Sequence, residues 1–172
     1  MGNRLTVSNG GLRVWPDLPA LQPPSLRTVW ENPDAEWRLA AAYLGPLIDG
    51  SATLLLPGFW TDGGSIPRAA WSIVGDPWQL PCLAYFLPHD ADYAAELRYR
   101  GTCDTRLLQG MRLDGHVDAA KRVAIYRSVR DFGGICWNRH TPEGVAAARK
   151  LCRVVGEEEY LAIVKTGTPN VK

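Results

Sequence analysis

The chain has 172 residues, of which 46% are hydrophobic and 22% charged, and its formal net charge is +1. This composition is typical of a packed domain and excludes a disordered chain, a collagen and a coiled coil. No apolar run approaches the roughly 20 residues that a membrane-spanning helix needs, and the polar start Met1-Gly2-Asn3-Arg4 predicts no signal peptide. We therefore expect synthesis in the cytoplasm, and the near-zero charge argues against nucleic acid as a partner.

Residues 1–57 are predicted to form a small antiparallel β region. Leu5–Val7 and Leu12–Val14 flank Asn9-Gly10, a pair that favours a tight hairpin turn because both residues tolerate positive φ. Residues 58–80 read as a loop rich in Gly and Trp. Three further strands are predicted from their apolar and β-branched residues: Leu26–Trp30, Glu36–Tyr43 and Thr53–Leu56.

Residues 81–165 are predicted to form a helical part, because apolar residues recur there with the helical period. The first helix runs to about Arg98, with Pro88 inside it, and the second follows Gly101-Thr102. A third helix begins after the N-cap Asp118 and ends at Gly133-Gly134. The helices and strands together predict one α+β domain over residues 1–172, with three to four helices after the β region and a frayed tail at 166–172.

The third and fourth predicted helices each have an apolar stripe that should face the core. In the third helix this stripe contains Ile125, Val129 and Phe132. The fourth helix begins at Thr141-Pro142-Glu143, which supply an N-cap, an N1 proline and a first-turn acid in that order. Its predicted stripe is Val145, Ala148, Cys152 and Val155.

Polar residues on the apolar stripes of the first two helices are the strongest functional signal. His89 lies on the same helical face as Cys82, Phe86 and Tyr93, and Asp104 lies on the apolar face of the next helix. If the two helices pack together, the carboxylate can hold the imidazole in the orientation that a general base needs. Asp90 follows His89 and could hold a cation at the rim. A structural bond between the two helices is the alternative interpretation.

A second signal is the loop Gly58-Phe59-Trp60-Thr61-Asp62-Gly63-Gly64-Ser65-Ile66-Pro67. Asp62 and Ser65 offer side-chain oxygens, and a glycine such as Gly63 lets backbone carbonyls turn toward a hard cation such as Ca²⁺, which binds six to eight oxygens. The alternative is a turn that connects the last strand to the helices, with Ser65 capping a short helix that begins at Pro67.

Two further features of the sequence bear on function, a segment rich in basic residues and the four cysteines. The segment 98–130 contains eight Lys or Arg residues against three Asp, a pattern that suits an anionic partner or simply a solvated helix face. The cysteines Cys82, Cys103, Cys136 and Cys152 form no C-x-x-C pair, so we expect reduced core residues rather than a zinc or redox motif.

The order of these motifs resembles an uncharacterised family of small phage and prophage proteins. The residues that carry the resemblance lie between about 25 and 135: Thr61-Asp62-Gly63-Gly64-Ser65-Ile66-Pro67, His89-Asp90-x-x-Tyr93, Asp104, Ile125-Tyr126 and Phe132-Gly133. Asp92 stands where that family usually has an apolar residue. The resemblance implies a bacteriophage or prophage origin and does not carry an activity.

A more distant resemblance is to the two-helix core of secreted phospholipase A2. It implies that His89 activates water, that Asp104 supports His89 and that Asp90 binds calcium. The Asp62-Gly63 loop would supply further calcium ligands, with Tyr93 and Ser65 as substrate or support residues.

Two functional hypotheses follow. In the first, the chain is a phage-encoded, virion-associated hydrolase of an ester or amide in the host envelope, with calcium as its cofactor. In the second, it is a non-catalytic virion component of a tail or connector, whose partners are other virion proteins. In that case the Trp-rich β half would be a docking surface.

Overall fold

The computed structural model describes residues 11–22, 37–61 and 83–169. Within them short strands precede a run of helices, which is the predicted α+β order. The strands are β1 (Arg13–Val14), β2 (Leu21–Gln22), β3 (Trp37–Leu39), β4 (Tyr43–Leu44), β5 (Ser51–Leu55), β6 (Trp60–Thr61) and β7 (Cys152–Gly156). The helices are α1 (Leu83–Ala94), α2 (Arg100–Asp114), α3 (Ala119–Trp137), α4 (Pro142–Arg149) and α5 (Glu157–Thr166).

The strands form two small sheets. One has the order β1-β4-β5-β7, with antiparallel pairs except for β1 and β4, which are parallel, and the other has the antiparallel order β2-β3-β6. The single strand predicted over Glu36–Tyr43 was wrong, because β3 and β4 belong to different sheets. The chain changes sheet between them: Ala40 N–H donates to Ala20 O, while Ala42 O accepts from Arg13 N–H.

Helix α1 passes through the centre of the fold. It packs against α2 and β5, and all its residues from Leu83 to Tyr93 are buried except Asp90. Pro88 lies inside the helix as predicted and has no N–H for the carbonyl of Ala84. The Tyr43 hydroxyl lies 3.3 Å from that carbonyl oxygen and 3.2 Å from the carbonyl oxygen of Asp17, so its one proton is shared between the two. A strand residue therefore contacts the carbonyl that the proline leaves without its helical partner.

The predicted ends of two helices were wrong. Helix α1 ends at Ala94 rather than near Arg98, since Glu96 has φ 46° and Leu97 N–H turns back to Asp92 O. Helix α3 continues through Gly133 to Trp137. Gly133 is needed inside the helix because a Cβ there would lie 2.6 Å from the Tyr93 hydroxyl.

The largest correction concerns the C-terminal part. The predicted fourth helix included Cys152 and Val155, but α4 ends at Arg149 and both residues lie in β7, which pairs with β5 along its whole length. Helix α5 then covers β5 and β7, so the described chain has five helices rather than three to four. Phe132 was also misplaced, since it is 46% exposed while Ile125 and Val129 are buried.

Several sequence predictions lie outside the described residues, namely the strands Leu5–Val7 and Leu26–Trp30, the turn Asn9-Gly10 and the residue Cys82. Cys103 and Cys152 are buried free thiols, as predicted, whereas Cys136 is only partly buried and does not belong to the core. Among the helices of residues 11–22, 37–61 and 83–169, none combines the length and apolarity required to cross a membrane.

Candidate functional site

The predicted contact between His89 and Asp104 is present. Nε2 of His89 lies 3.1 Å from Oδ1 of Asp104, and the Tyr93 hydroxyl donates to the same oxygen at 2.5 Å. His89 and Tyr93 are four residues apart on α1, so both side chains leave the same face of the helix. Asp104 projects from α2, which packs against that face. A buried carboxylate therefore fixes the ring of His89 through Nε2.

The second ring nitrogen of His89 faces Asp90. Nδ1 lies 3.9 Å from Oδ1 of Asp90, while Oδ2 of Asp90 accepts a hydrogen bond of 2.6 Å from the hydroxyl of Thr61. The Asp90 side chain keeps 11% of its exposure, against 3% for His89. The imidazole thus lies between two carboxylates, one sealed in the core and one nearer to the surface.

Two opposing effects act on the pKa of His89. Burial alone would lower it, but the hydrogen bond to Asp104 and the negative charges of Asp104 and Asp90 outweigh burial and raise the pKa to about 9. Burial would raise the pKa of Asp104, but its contacts with His89, Tyr93 and Arg130 prevail and lower it. At neutral pH, without a bound metal, His89 is therefore positively charged and Asp104 negatively charged.

The predicted site residues separate into two groups. The structure brings together His89, Asp90, Tyr93 and Asp104. The predicted residues of the loop, which are Asp62, Gly63 and Ser65, lie outside the described residues.

Two described side chains beside His89 carry oxygen atoms of the kind that can bind a metal ion. The oxygens of Asp90 and Thr61 have the hard-donor chemistry that Ca²⁺ prefers, so the residue types fit. Within residues 11–22, 37–61 and 83–169, however, no three His, Cys, Asp or Glu side chains converge to hold a metal ion.

The sequence did not reveal a second buried charge cluster beside the first. Asp92 lies in the core with a side-chain exposure of 4%, and it pairs with Arg98 and, at 3.8 Å, with Arg106. The Thr53 hydroxyl on β5 donates to Asp92 at 2.7 Å. In the sequence Asp92 appeared only as a polar residue at an apolar position of the phage family. That departure was the one available signal for this cluster.

Arg106 connects this second cluster to the turn between β4 and β5. Its guanidinium donates to the carbonyl of Ile48 at 2.7 Å and to the carbonyl of Ser51 at 2.9 Å. A small cavity of about 20 Å³, comparable to the space of one water molecule, touches His89, Asp92 and Arg106. The two charge clusters are therefore neighbours along α1.

Four of the eight basic residues of segment 98–130 contact buried carboxylates. Arg98 and Arg106 pair with Asp92, while Arg130 and Arg100 lie 3.3 and 3.9 Å from Oδ2 of Asp104. A solvated basic face is thus the wrong description for Arg98 and Arg106, while the side chains of Arg100 and Arg130 are 28% and 39% exposed. Their positions are set by the buried acids of α1 and α2.

No protein-family model, curated protein or solved structure matches the chain.

Proposed function

We propose that this chain is a phage-encoded, virion-associated hydrolase that cleaves an ester or amide of the host envelope, with His89 as its general base. The observation that carries the proposal is the division of roles between the two ring nitrogens. Nε2 is held by the sealed carboxylate of Asp104, and Nδ1 faces the less buried Asp90. A general base needs this arrangement, in which one nitrogen is oriented and the other faces the reactants.

In the proposed reaction Nδ1 of neutral His89 takes a proton from a water molecule. The water oxygen attacks the carbonyl carbon of the substrate, and the bond from that carbon to the leaving oxygen or nitrogen then breaks. His89 returns its proton to the leaving group, so the ring ends in its starting state. Asp104 stabilises the imidazolium that forms in between, and Tyr93 holds Asp104 in place through its 2.5 Å hydrogen bond.

Calcium is part of the proposal. Asp90 would hold the ion together with the segment Asp62-Gly63 and Ser65, and the hydrogen bond from Thr61 to Asp90 supports this because Thr61 directly precedes Asp62. When bound, calcium would polarise the carbonyl and stabilise the oxyanion.

The test is hydrolysis of vesicles of phosphatidylethanolamine and phosphatidylglycerol, and of peptidoglycan, with release of fatty acid or peptide followed by mass spectrometry. We expect product from the wild-type protein in millimolar calcium. In His89→Gln we expect a loss of about 10²–10⁴-fold, the usual contribution of a general base. The rate should rise as the pH rises through the pKa of His89, because His89 must be neutral to accept a proton.

The control is His116→Gln, which changes an exposed histidine whose contact in the structure is Asp114. It should retain wild-type activity. Product formation that survives in a folded His89→Gln protein would contradict the proposed role of His89.

One observation favours a second function. His89 and Asp104 are 5% and 0% exposed, as expected if their bond serves only to join α1 and α2. The chain would then be a non-catalytic tail or connector component whose partners are other virion proteins. This alternative predicts no product with any of the substrates, and a loss of stability as the sole effect of His89→Gln.

A further inference from the structure

We infer that Arg100 and Arg130 form a binding site for a phosphate-like oxyanion at the surface end of the Asp104 cluster. The two arginines come from different helices, α2 and α3, and meet at the outer oxygen of Asp104. This inference concerns binding alone and does not depend on the proposed hydrolysis.

The first argument is charge. Two guanidinium groups lie within 4 Å of one oxygen of Asp104, and the other oxygen of the same carboxylate pairs with His89, so the single negative charge of Asp104 cannot balance both arginines. The described residues provide no further carboxylate partner for either arginine. Like charges repel, and an anion that contacts both groups would reduce the repulsion.

The second argument concerns the guanidinium N–H groups of the two arginines that remain available to a ligand. A guanidinium has five N–H donors. Within the described chain, Arg130 uses Nη1 for Asp104, and the hydrogen bond from Arg100 runs from its Nη1 to the carbonyl of Arg130. Arg100 also contacts the hydroxyl oxygen of Tyr93, and the other N–H groups of Arg130 have no hydrogen-bond acceptor among the described residues. The side chains are 28% and 39% exposed, so these donors are accessible to a ligand.

The third argument is space. The guanidinium of Arg130 lies over Gly101, where a Cβ would be only 3.0 Å from Nη1. A Cβ at Gly134 would lie 4.0 Å from Nη1 of Arg100, at ordinary contact distance. Two glycines thus flank the arginine pair, and no side chain from either position covers it.

The chemistry of the pair selects phosphate. A guanidinium presents a planar fork that matches two oxygens of a phosphate, and two such forks from different directions can share its tetrahedral oxygens. Free phosphate and the phosphodiester of a lipid headgroup present the same group.

The test is calorimetric titration of the full-length protein with inorganic phosphate at low ionic strength. We expect saturable one-site binding that becomes at least about tenfold weaker in Arg130→Gln and in Arg100→Gln, because each substitution removes one charged fork. Arg127→Gln is the matched control, since Arg127 is an exposed arginine of the same helix, and it should bind as the wild type does.

Arg100→Gln also guards against misfolding. Arg100 lies farther from Asp104 than Arg130 does, so its loss should leave the thermal unfolding temperature nearly unchanged. Absence of phosphate binding to the wild-type protein, or equal binding by folded Arg100→Gln, would overturn the inference.

A competition experiment with a monomeric short-chain phosphatidylcholine distinguishes the source of the ligand. Competition with phosphate would assign the site to a lipid headgroup, and lack of competition would assign it to free phosphate.

Discussion

Asparagine in place of Asp92 should lower the free energy of unfolding by about 3–5 kcal/mol, the usual cost of breaking a buried ion pair. The carboxylate of Asp92 faces two arginines, Arg98 and Arg106, whose side chains are 10% and 9% exposed. Asparagine keeps the size of the side chain and a carbonyl that can accept from Thr53. What it removes is the negative charge, so two buried cations would remain without a counter-ion.

Urea unfolding of the variant measures this effect, with Asp131→Asn as the control because Asp131 is an exposed aspartate of α3. The control should unfold within about 0.5 kcal/mol of the wild-type protein. A loss below about 1 kcal/mol in Asp92→Asn would show that this cluster is not the counter-ion system that the structure describes.

The stability of the metal-free protein should fall by about 3 kcal/mol between pH 6 and pH 9 through His89 alone. The pKa of His89 is raised to about 9 in the folded protein, against about 6.5 for an unfolded histidine. A raised pKa stabilises the folded state fully below the unfolded pKa, and this contribution is lost as the pH rises through the folded pKa. The expected loss of stability follows from the difference between the folded and the unfolded pKa, at about 1.4 kcal/mol for each pKa unit.

The measurement is urea unfolding in a chelator at several pH values, for the wild-type protein and for His89→Gln. The difference between the two isolates His89 from other titrating groups, and it should shrink as the pH rises. His116→Gln, at an exposed position, should follow the wild-type curve. A difference that stays constant from pH 6 to pH 9 would mean that Asp104 and Asp90 do not hold a charged His89.

The contact between His89 and Asp104 could be predicted from the sequence because it needs only local information. Both are polar residues on apolar helical stripes, and they lie on consecutive helices joined by a short connection. Such helices pack side by side, so each of these two polar residues was the one plausible partner of the other. The geometry of the site follows from that pairing.

The Asp92 cluster could not be predicted in the same way. A helical wheel separates a buried face from an exposed one, but nearly every residue of α1 is buried. The wheel therefore cannot say which polar residue of such a helix has a partner. The partners of Asp92 come from β5, from the connection after α1 and from α2, and local periodicity carries no information about them.

The missed strand β7 has a similar cause. The segment from Val145 to Val155 repeats its apolar residues at helical spacing, so the local pattern favours one long helix. Pairing with β5, about a hundred residues earlier in the chain, makes Cys152–Gly156 a strand instead. Tertiary context overrides local propensity here.

Calorimetric titration with calcium tests the proposed cation site beside His89 most directly. We expect saturable binding to the wild-type protein and at least about tenfold weaker binding in Asp90→Asn, which removes one charged oxygen ligand. Asp131→Asn, at an exposed position of α3, should bind calcium as the wild type does. No binding up to millimolar calcium, or equal binding by Asp90→Asn, would contradict the calcium-assisted mechanism and favour the non-catalytic virion component.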